Sequence, residues 1–463
     1  MVTRTEHDLL GERDVPDPAY WGIHTARAIE NFPISRRTIG GDADLVTSLA
    51  CVKQAAAEAN RELGLLDAGL AEAIVAACEE IRAGALHDQF MVDVIQGGAG
   101  TSTNMNANEV IANRALELLG RPRGDYATLH PNEHVNRSQS TNDVYPTAIR
   151  LALIARTERL ADAMQRLRGA FADKAHEFAG VVKLGRTQLQ DAVPMTLGQE
   201  LGAYGVMLGE DIVRLAEARA LLLEINLGAT AIGTSITAPA GYPPLVVQRL
   251  AALTGRALVA APDLVEATQD AGAFVQLSSV AKRIAVKLSK TCNDLRLLSS
   301  GPFTGFGDLR LPPVQAGSSI MPGKVNPVIP EVVNQIAFEV IGHDVTVTMA
   351  AEAGQLQLNA FEPILYLAIA ESLDHLAAGC DTLAERCVRG IEANEETLRH
   401  RVNSTVAVVT ALSPVIGYDA ATEFASTALS TGEDVGALVV ASGLMDAAGL
   451  ASILGVAAAP PVA

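Results

Sequence analysis

Residues 317–327 read Gly-Ser-Ser-Ile-Met-Pro-Gly-Lys-Val-Asn-Pro, and this stretch says more about the chain than any other. Its glycines and prolines exclude a regular helix. The polar side chains are Ser318, Ser319, Lys324 and Asn326. Two hydroxyl groups beside one cation and one amide suit a site that binds a carboxylate and removes a nearby proton. Taken alone, the composition fits an ordinary surface loop equally well.

Three further polar segments accompany this stretch, and the four together resemble one enzyme family. They are Gly-Thr-Ser-Thr-Asn-Met-Asn at 100–106, Ser-Gln-Ser-Thr-Asn-Asp at 138–143 and Gly-Arg-Thr-Gln-Leu-Gln-Asp at 185–191. In their order along the chain, the four segments resemble the active-site segments of the aspartase/fumarase superfamily. Four ordered matches are far more specific than any one of them, and the similarity covers nearly the whole chain.

Five long segments with apolar residues at every third or fourth position predict a mainly α fold. The predicted helices cover residues 146–179, 197–225, 265–298, 331–353 and 363–391. All are far longer than the average helix of about 11 to 12 residues. Their apolar surface also exceeds what one face needs, which favours burial against other subunits.

The resemblance adds an architecture to this pattern. It implies an aspartase/fumarase-like fold of three domains: an N-terminal domain at 1–145, a central bundle of long helices at 146–393 and a small C-terminal domain at 394–463. It also implies a homotetramer. In that assembly the central domains form one multi-helix core, and the active sites draw residues from three subunits.

Composition bounds the class of protein. The 463 residues are 49% hydrophobic but only 4% aromatic, which suits a core of closely packed aliphatic helices. A net charge of −18 argues against nucleic acid and anionic membranes as partners. Five scattered cysteines and a start without an apolar export segment predict a reduced, cytoplasmic protein.

No pattern for a cofactor or a metal ion stands out, so we predict that neither is used. Residues 97–100 are rich in glycine, but no Gly-Lys-Ser follows and no βαβ pattern surrounds them. His130 and His134 have the spacing of a zinc-binding helix, yet Pro131 disfavours a helix interior. The sequence favours histidines in a capped turn. The family resemblance suggests a secondary carboxylate-binding turn instead.

The chemistry of the family explains why it needs hydroxyl groups. Eliminating a group β to a carboxylate requires removal of a weakly acidic proton from the carbon next to that carboxylate. The resulting negative charge is tolerable only if it moves onto the carboxylate, as an aci form held by hydrogen-bond donors. Neutral donors can strengthen as this charge develops. The resemblance assigns this role to Thr101, Ser140, Thr141 and Ser319.

The resemblance also assigns the base and the second carboxylate. Ser318 corresponds to the catalytic base, and nearby Lys324 and loop N–H groups would make its oxygen basic enough. The fixed cation that binds the second carboxylate corresponds to Lys324, with Asn326 and Thr187 beside it.

Position 188 distinguishes two activities within the family. Fumarases have a histidine there, paired with a glutamate at the position of Glu331 to handle water, whereas this chain has Gln188. An amide cannot shuttle a proton. Ammonium leaves already protonated, and Gln188 and Asn142 can accept its N–H bonds. Together with other details, this resembles the aspartase branch and implies a carbon–nitrogen lyase that reversibly converts L-aspartate to fumarate and ammonia.

Two alternatives and one departure accompany this interpretation. The alternatives are a fumarate hydratase and a non-catalytic structural homologue, such as the crystallins of the superfamily. The departure lies in the loop at 233–237. Relatives usually have Gly-Thr-Gly, one further residue and Asn there, whereas this chain has Ser235 in place of the second glycine and Thr237 in place of the asparagine. We expect local loop geometry to respond to it.

Overall fold

The computed structural model describes residues 2–406 and 408–456. The fold is mainly α, as the sequence predicts. Of the predicted C-terminal domain at 394–463, Ala407 and residues 457–463 lie outside the described residues. No helix in the described part of the chain is long and apolar enough to cross a membrane.

The helices vary from one turn to ten. Their bounds are α1 (Ile23–Asn31), α2 (Ala43–Glu62), α3 (Ala68–Arg82), α4 (Thr101–Leu118), α5 (Thr141–Glu177), α6 (Leu197–Ala220), α7 (Tyr242–Thr254), α8 (Leu264–Ala267), α9 (Gly272–Leu298), α10 (Val328–Glu352), α11 (Glu362–Arg386), α12 (Glu395–Ser404), α13 (Val408–Ile416), α14 (Tyr418–Thr431), α15 (Val435–Ala441) and α16 (Ala447–Val456).

The strands form small two-stranded sheets. Three antiparallel pairs are β1 (Thr3–Asp8) with β2 (Gly11–Pro16), β3 (Val182–Thr187) with β4 (Gln190–Thr196), and β7 (Leu309–Arg310) with β8 (Glu392–Ala393). One parallel pair joins β5 (Glu224–Ile225) to β6 (Val259–Ala260).

The five predicted long helices correspond to α5, α6, α9, α10 and α11, and the first of them starts earlier than predicted. Helix α5 begins at Thr141, so Pro146 lies inside it. Proline has no N–H, so it leaves the carbonyl four residues earlier without its helical donor. Here that carbonyl belongs to Asn142, and the side-chain amide of Asn226 donates to it at 3.0 Å. A tertiary contact therefore makes the proline tolerable.

The segment predicted as one helix at 265–298 is divided. Helix α8 ends at Ala267 and α9 begins at Gly272. The side chain of Asp270 accepts a hydrogen bond from the N–H of Gly272 at 2.8 Å. A short acidic side chain that bonds to the backbone in this way favours a helix start over a helix interior.

The chain divides into two compact units. Unit 1 comprises Met1–Arg159, Arg214–Lys282 and Val340–Asp374; unit 2 comprises Leu160–Val213, Arg283–Glu339 and His375–Ala463. The five long helices each contribute to both units. The division at 1–145, 146–393 and 394–463 follows the family's architecture and stays a prediction.

Unit 1 has its core around α2. This helix packs against α3 and α7, and α4 packs against α1 and α3. Leu45, Leu49, Ile74 and Ile111 are fully buried. Lys53 of α2 is also fully buried among these apolar side chains.

Unit 2 contains the β3–β4 hairpin and the C-terminal helices. Helix α12 packs against β3, and α13 packs against β4. The last helices share a small apolar core around Val408, Leu412, Val435 and Val439. The tip of the hairpin and the loop at 317–327 therefore belong to a unit with its own buried core.

Candidate active site

The start of helix α5 is capped by the side chains of Ser140 and Asp143. The hydroxyl oxygen of Ser140 accepts a hydrogen bond from the N–H of Asn142 at 3.2 Å. Asp143 Oδ1 accepts one from the N–H of Ser140 at 3.0 Å. This reciprocal arrangement is a capping box. It leaves the hydroxyl proton of Ser140 free to donate to a ligand, at a helix end whose dipole favours negative charge.

Asp143 also joins this helix end to the loop that follows β5. Its Oδ2 accepts hydrogen bonds from the N–H groups of Gly228 at 3.1 Å and Thr230 at 2.9 Å. Burial raises the pKa of Asp143 to about 6, against the opposing effect of these N–H groups. Asn142 donates its side-chain N–H to Ala231 O at 2.7 Å. This contact leaves the side-chain oxygen of Asn142, Oδ1, as an acceptor.

The departure at Ser235 is absorbed within this loop. Ser235 has a left-handed φ of 54°, a conformation that favours the glycine of the relatives. A side chain there costs roughly 1–2 kcal/mol. The hydroxyl of Ser235 donates to Gly228 O at 2.8 Å and its N–H donates to Ala229 O at 3.0 Å. The hydrogen bonds of Ser235 thus stabilise the turn and oppose the strain of its left-handed backbone.

Thr101 begins helix α4 after a tight turn. Gly98, Ala99 and Gly100 all have left-handed φ angles, of 92°, 54° and 83°. A Cβ at Gly100 would collide with the ring of Tyr145, so only glycine fits there. The exposed hydroxyl of Thr101 donates to Gly98 O at 2.7 Å. The predicted donor therefore has a backbone acceptor in this structure.

The loop at 317–327 is closed on itself. The N–H of Gly317 donates to Lys324 O at 2.8 Å, and the side chain of Asn326 donates to Gly317 O at 2.6 Å. A Cβ at Gly317 would lie 2.5 Å from Lys324 O, so the two sides of the loop approach closely only because residue 317 is glycine. Ser319 and Lys324 are exposed.

The hydroxyl oxygen of Ser318 lies within reach of two backbone N–H groups. Its Oγ accepts hydrogen bonds from the N–H groups of Ile320 at 3.2 Å and Met321 at 3.0 Å. Two backbone donors aimed at one oxygen stabilise negative charge on it. The same contacts also close a turn, as serine hydroxyls often do in loops. A general base and a turn-closing hydroxyl both fit this geometry.

Thr187 and Gln188 lie at the tip of the β3–β4 hairpin. Thr187 pairs with Gln190, so Gln188 and Leu189 form a two-residue turn. Their φ angles of 53° and 63° are those of a type I′ turn. Thr187 and Gln188 are both exposed, which leaves their side chains available to a ligand or to another chain.

A buried carboxylate anchors this hairpin. Asp308 is fully buried and its carboxylate accepts from Arg186 at 2.7 Å and from Arg401 at 2.5 Å. Lys183 Nζ lies 3.1 Å from the same carboxylate. Burial alone would raise the pKa of Asp308, but the hydrogen bond from Arg186 and the charge of Lys183 hold it below its ordinary value. Since Arg186 directly precedes Thr187, the network fixes the base of the tip.

We expect Asp308→Asn to lower the free energy of unfolding at neutral pH by about 3–5 kcal/mol, because it removes the buried negative charge that Lys183, Arg186 and Arg401 share. Urea midpoints at a fixed protein concentration measure the change. The lowered pKa gives stability that is present at neutral pH and lost as the pH falls through the folded-state pKa. The difference between variant and wild type should therefore vanish in acid.

The matched control for this substitution is Glu392→Gln. Glu392 forms an ion pair with Arg310 at 2.9 Å, and both side chains are about two-thirds exposed (64% and 66%). Such a pair contributes about 0–1 kcal/mol. Equal losses for the two variants would contradict the anchoring role of Asp308.

The two histidines form a capped turn, as the sequence favours. Residues Pro131–Val135 make a single wide helical turn. His130 Nδ1 accepts hydrogen bonds from the N–H groups of Asn132 and Glu133, and His134 Nδ1 accepts one from the N–H of His130. Burial lowers the pKa of both rings. Within residues 2–406 and 408–456, no group of three or more acidic, histidine or cysteine side chains is arranged to hold a metal ion.

The predicted site residues fall into two groups. In unit 1 the structure brings together the starts of α4 and α5, which carry Thr101, Ser140, Thr141 and Asn142. In unit 2 it places Thr187 and Gln188 on the hairpin, and Ser318, Ser319, Lys324 and Asn326 on the loop.

Sequence reasoning missed several supporting residues. Asp143 had a signal, because an acidic residue three positions after Ser140 completes a capping box. Lys53 had a weaker one, as a lone lysine in the run Leu-Ala-Cys-Val-Lys-Gln-Ala-Ala-Ala. Asp308 had none, since its partners Lys183, Arg186 and Arg401 are far from it in sequence.

Comparison with protein families gives two matches along the chain. A family model described as "Lyase" matches residues 11–342, and one described as "Fumarase C C-terminus" matches residues 408–458. Together they span most of the chain and include all four polar segments.

Individual relatives agree over nearly full length. An aspartate ammonia-lyase from Pseudomonas aeruginosa is 57% identical over 98% of this chain and 96% of its own length. One from Escherichia coli strain K12 is 52% identical over 98% of this chain and 95% of its own length.

Solved structures match as closely in shape. The crystal structure titled fumarate lyase:delta crystallin from Brucella melitensis bound to cobalt has a TM-score of 0.95, with 57% identity and 98% of each chain covered. The class II fumarase from Schistosoma mansoni has a TM-score of 0.92 at 34% identity, again over 98% of each chain. The backbone is thus similar in both, whereas identity to this fumarase is much lower.

Proposed function

The chain belongs to the aspartase/fumarase superfamily of lyases, and we propose that it is an enzyme with aspartate ammonia-lyase activity, which converts L-aspartate reversibly to fumarate and ammonia. The observation that carries this proposal is the 57% identity to a curated aspartate ammonia-lyase over 98% of the chain. Gln188 supports it, because the hairpin tip has no group that could shuttle a proton to or from water.

Ser318 is the proposed base. It removes the proton from the carbon next to the side-chain carboxylate of aspartate. The two N–H groups that reach its Oγ, from Ile320 and Met321, stabilise the negative charge that the oxygen must carry before the transfer. Lys324 lies six residues away on the same closed loop and adds a positive charge to it.

The side-chain carboxylate receives the charge of the carbanion. We assign it to four hydroxyl donors: Thr101, Ser140, Thr141 and Ser319. The capping box leaves the proton of Ser140 free to donate. Thr101 exchanges its backbone acceptor, Gly98 O, for the charged carboxylate oxygen, which is the stronger acceptor. Each donor supplies about 2.7 to 4 kcal/mol by analogy with an oxyanion hole.

The other carboxylate and the amino group complete the substrate. Lys324, with Asn326 and Thr187 beside it, binds the carboxylate on the amino-bearing carbon. Gln188 and the side-chain carbonyl oxygen of Asn142 (Oδ1) accept the N–H bonds of the departing ammonium. The reaction needs no cofactor in this scheme, since proton removal and charge stabilisation come from side chains and backbone.

Fumarate hydratase is the second candidate, because Glu331 is present and the fold is shared with a class II fumarase. Comparing kcat/KM for L-aspartate with kcat/KM for L-malate on the same purified protein separates the two. Turnover of aspartate without turnover of malate supports the proposal. Turnover of malate alone would contradict it, and turnover of neither would favour a non-catalytic homologue.

We also propose a homotetramer in which active sites draw residues from three subunits. Helix α10 supports it. Phe338, Val345 and Met349 are 63%, 56% and 67% exposed in the single chain, and Ile341 lies between them at helical spacing. A row of apolar side chains on a long helix marks a surface that another chain covers.

Light scattering at micromolar concentration should therefore give four times the 48.4 kDa mass of one chain. The interface should bury more than the standard area of about 1,600 Å². Phe338→Glu should lower the measured mass, because it places a charge in the apolar row. A stable wild-type monomer would contradict both the tetramer and the shared sites.

Two broader features belong to the same proposal. The first is the division into domains at 1–145, 146–393 and 394–463, which the family's architecture supports. The second is a cytoplasmic location. All five cysteines are buried and unpaired, as in proteins of a reducing compartment.

A further inference from the structure

A chain of hydrogen bonds runs from the fully buried Lys53 to the half-buried Thr141 through two asparagines. Lys53 Nζ donates to Asn136 Oδ1 at 2.8 Å. The same oxygen accepts a hydrogen bond from Asn104 Nδ2 at 3.2 Å, and Asn104 Nδ2 also donates to Thr141 Oγ1 at 3.1 Å. Lys53 is fully buried and Asn104 is 1% exposed, whereas Asn136 and Thr141 are half-buried. All four residues belong to unit 1.

The direction of each bond is set by Lys53. A lysine ammonium has donors and no acceptor. Even as a neutral amine it has two N–H groups for its two acceptors, Asn136 Oδ1 and Gln139 Oε1, the second at 3.0 Å. Asn136 must therefore present its oxygen to Lys53. Its own amide N–H donates to Gln139 O at 3.3 Å, which opposes a flip of the amide.

The orientation of Asn136 in turn fixes Asn104. Because Asn136 presents an oxygen, Asn104 must present its amino group, which has two N–H bonds. One N–H donates to Asn136 and the other donates to Thr141. Thr141 Oγ1 thus acts as an acceptor toward the interior. In the described part of the chain the hydroxyl makes no other hydrogen bond, so its own proton is free to point outward.

This arrangement matches the ligand of the proposed function. A carboxylate offers acceptors only, so a hydroxyl binds it well only as a donor. We propose that Asn104 is a positioning residue: it holds the Thr141 hydroxyl as a donor to the substrate carboxylate, and Lys53 and Asn136 hold Asn104 in the required orientation. The assignment rests on the proposed function, because it takes Thr141 as a substrate contact.

The test is a double-mutant cycle on Asn104 and Thr141, read as the Kd for succinate from calorimetry. Succinate has both carboxylates of the substrate and cannot react. Thr141→Val should weaken binding about 10- to 100-fold, the effect of one hydrogen bond to a charged group. Asn104→Asp should weaken it at least as much, because the new carboxylate accepts the Thr141 proton and turns the hydroxyl inward. Asn104→Ala should weaken it less, because the hydroxyl is then free to rotate.

The decisive comparison repeats the two Asn104 substitutions in the Thr141→Val background. There, Asn104→Ala should change the Kd by less than about twofold, since no hydroxyl remains to orient, and Asn104→Asp should weaken binding by a smaller factor than in the wild-type background, since only charge repulsion remains. If either variant weakens binding by the same factor in both backgrounds, Asn104 acts on structure alone and the proposal is wrong. The alanine variant carries this comparison if the buried aspartate prevents folding.

Asn108→Ala is the matched control. Asn108 lies one turn further along α4, is also fully buried and donates to Met105 Sδ at 3.7 Å rather than to Thr141. Asn108→Ala should lower thermal stability. Any change that it causes in the Kd for succinate should be the same in the wild-type and Thr141→Val backgrounds. A similar dependence on Thr141 would overturn the assignment to Asn104. Succinate binding needs no turnover, so the cycle decides the role of Asn104 independently of activity. A wild type that binds succinate but does not convert aspartate would refute the enzymatic proposal alone.

Discussion

Ser318→Ala should lower kcat for L-aspartate by about 10²- to 10⁴-fold, the range expected when a general base is removed. KM should change little, because the hydroxyl acts in the transition state and the carboxylate contacts remain. Steady-state kinetics of fumarate formation measure both constants. Gel filtration should show the same assembly for variant and wild type.

The control for this variant is Ser299→Ala. Ser299 lies just after α9, outside the loop at 317–327, and its hydroxyl donates to Arg296 O at 3.2 Å. Its removal should leave kcat within about twofold of wild type, as expected for a surface substitution. If Ser318→Ala kept more than about a tenth of wild-type kcat, a smaller loss than any expected for a general base, Ser318 would not be the base.

We expect turnover to require both carboxylates of aspartate. Alanine and β-alanine each lack one of the two carboxylates, and asparagine carries an amide in place of the side-chain carboxylate. In the assembled site that we propose, each leaves hydrogen-bond donors without their carboxylate partners, which costs on the order of 10⁴-fold in kcat/KM. Asparagine additionally cannot take up the charge of the carbanion as an aci-carboxylate. Ammonia release from each compound, compared with aspartate under the same conditions, measures the ratio.

Asparagine is the most informative of these compounds because it keeps the size and the amino group of aspartate. Deamination of asparagine at a rate close to that of aspartate would show that no charge needs to move onto the side-chain carboxylate. The roles assigned to the four hydroxyl donors, Thr101, Ser140, Thr141 and Ser319, would then be wrong, even if the protein remained an ammonia-lyase.

The long helices could be predicted because their apolar spacing is a local property of the sequence. Their ends were less predictable. Pro146 lies inside α5 only because Asn226, distant in sequence, donates to the carbonyl of Asn142. The gap before Gly272 depends on the side chain of Asp270, which begins a new helix within an apolar pattern that looks continuous.

The residues of the candidate site could be proposed from the sequence, whereas their hydrogen bonds could not. The four polar segments are visible by resemblance, whereas the direction of a hydroxyl is not. Thr101 looks like a free donor in the sequence, yet its proton is directed to Gly98 O. The orientation of Thr141 depends on Asn104, and that of Asn104 depends on Asn136, which lies 32 residues away. Such directions follow from tertiary contacts and need the structure.

The measurement that tests the central claim most directly is the stoichiometry of products from L-aspartate. Purified protein is incubated with L-aspartate, and fumarate and ammonia are determined in the same samples over time. The account predicts equimolar fumarate and ammonia from the wild type, and neither product above background from Ser318→Ala. Fumarate without ammonia, ammonia without fumarate, or no conversion of aspartate by a correctly assembled wild type would contradict it.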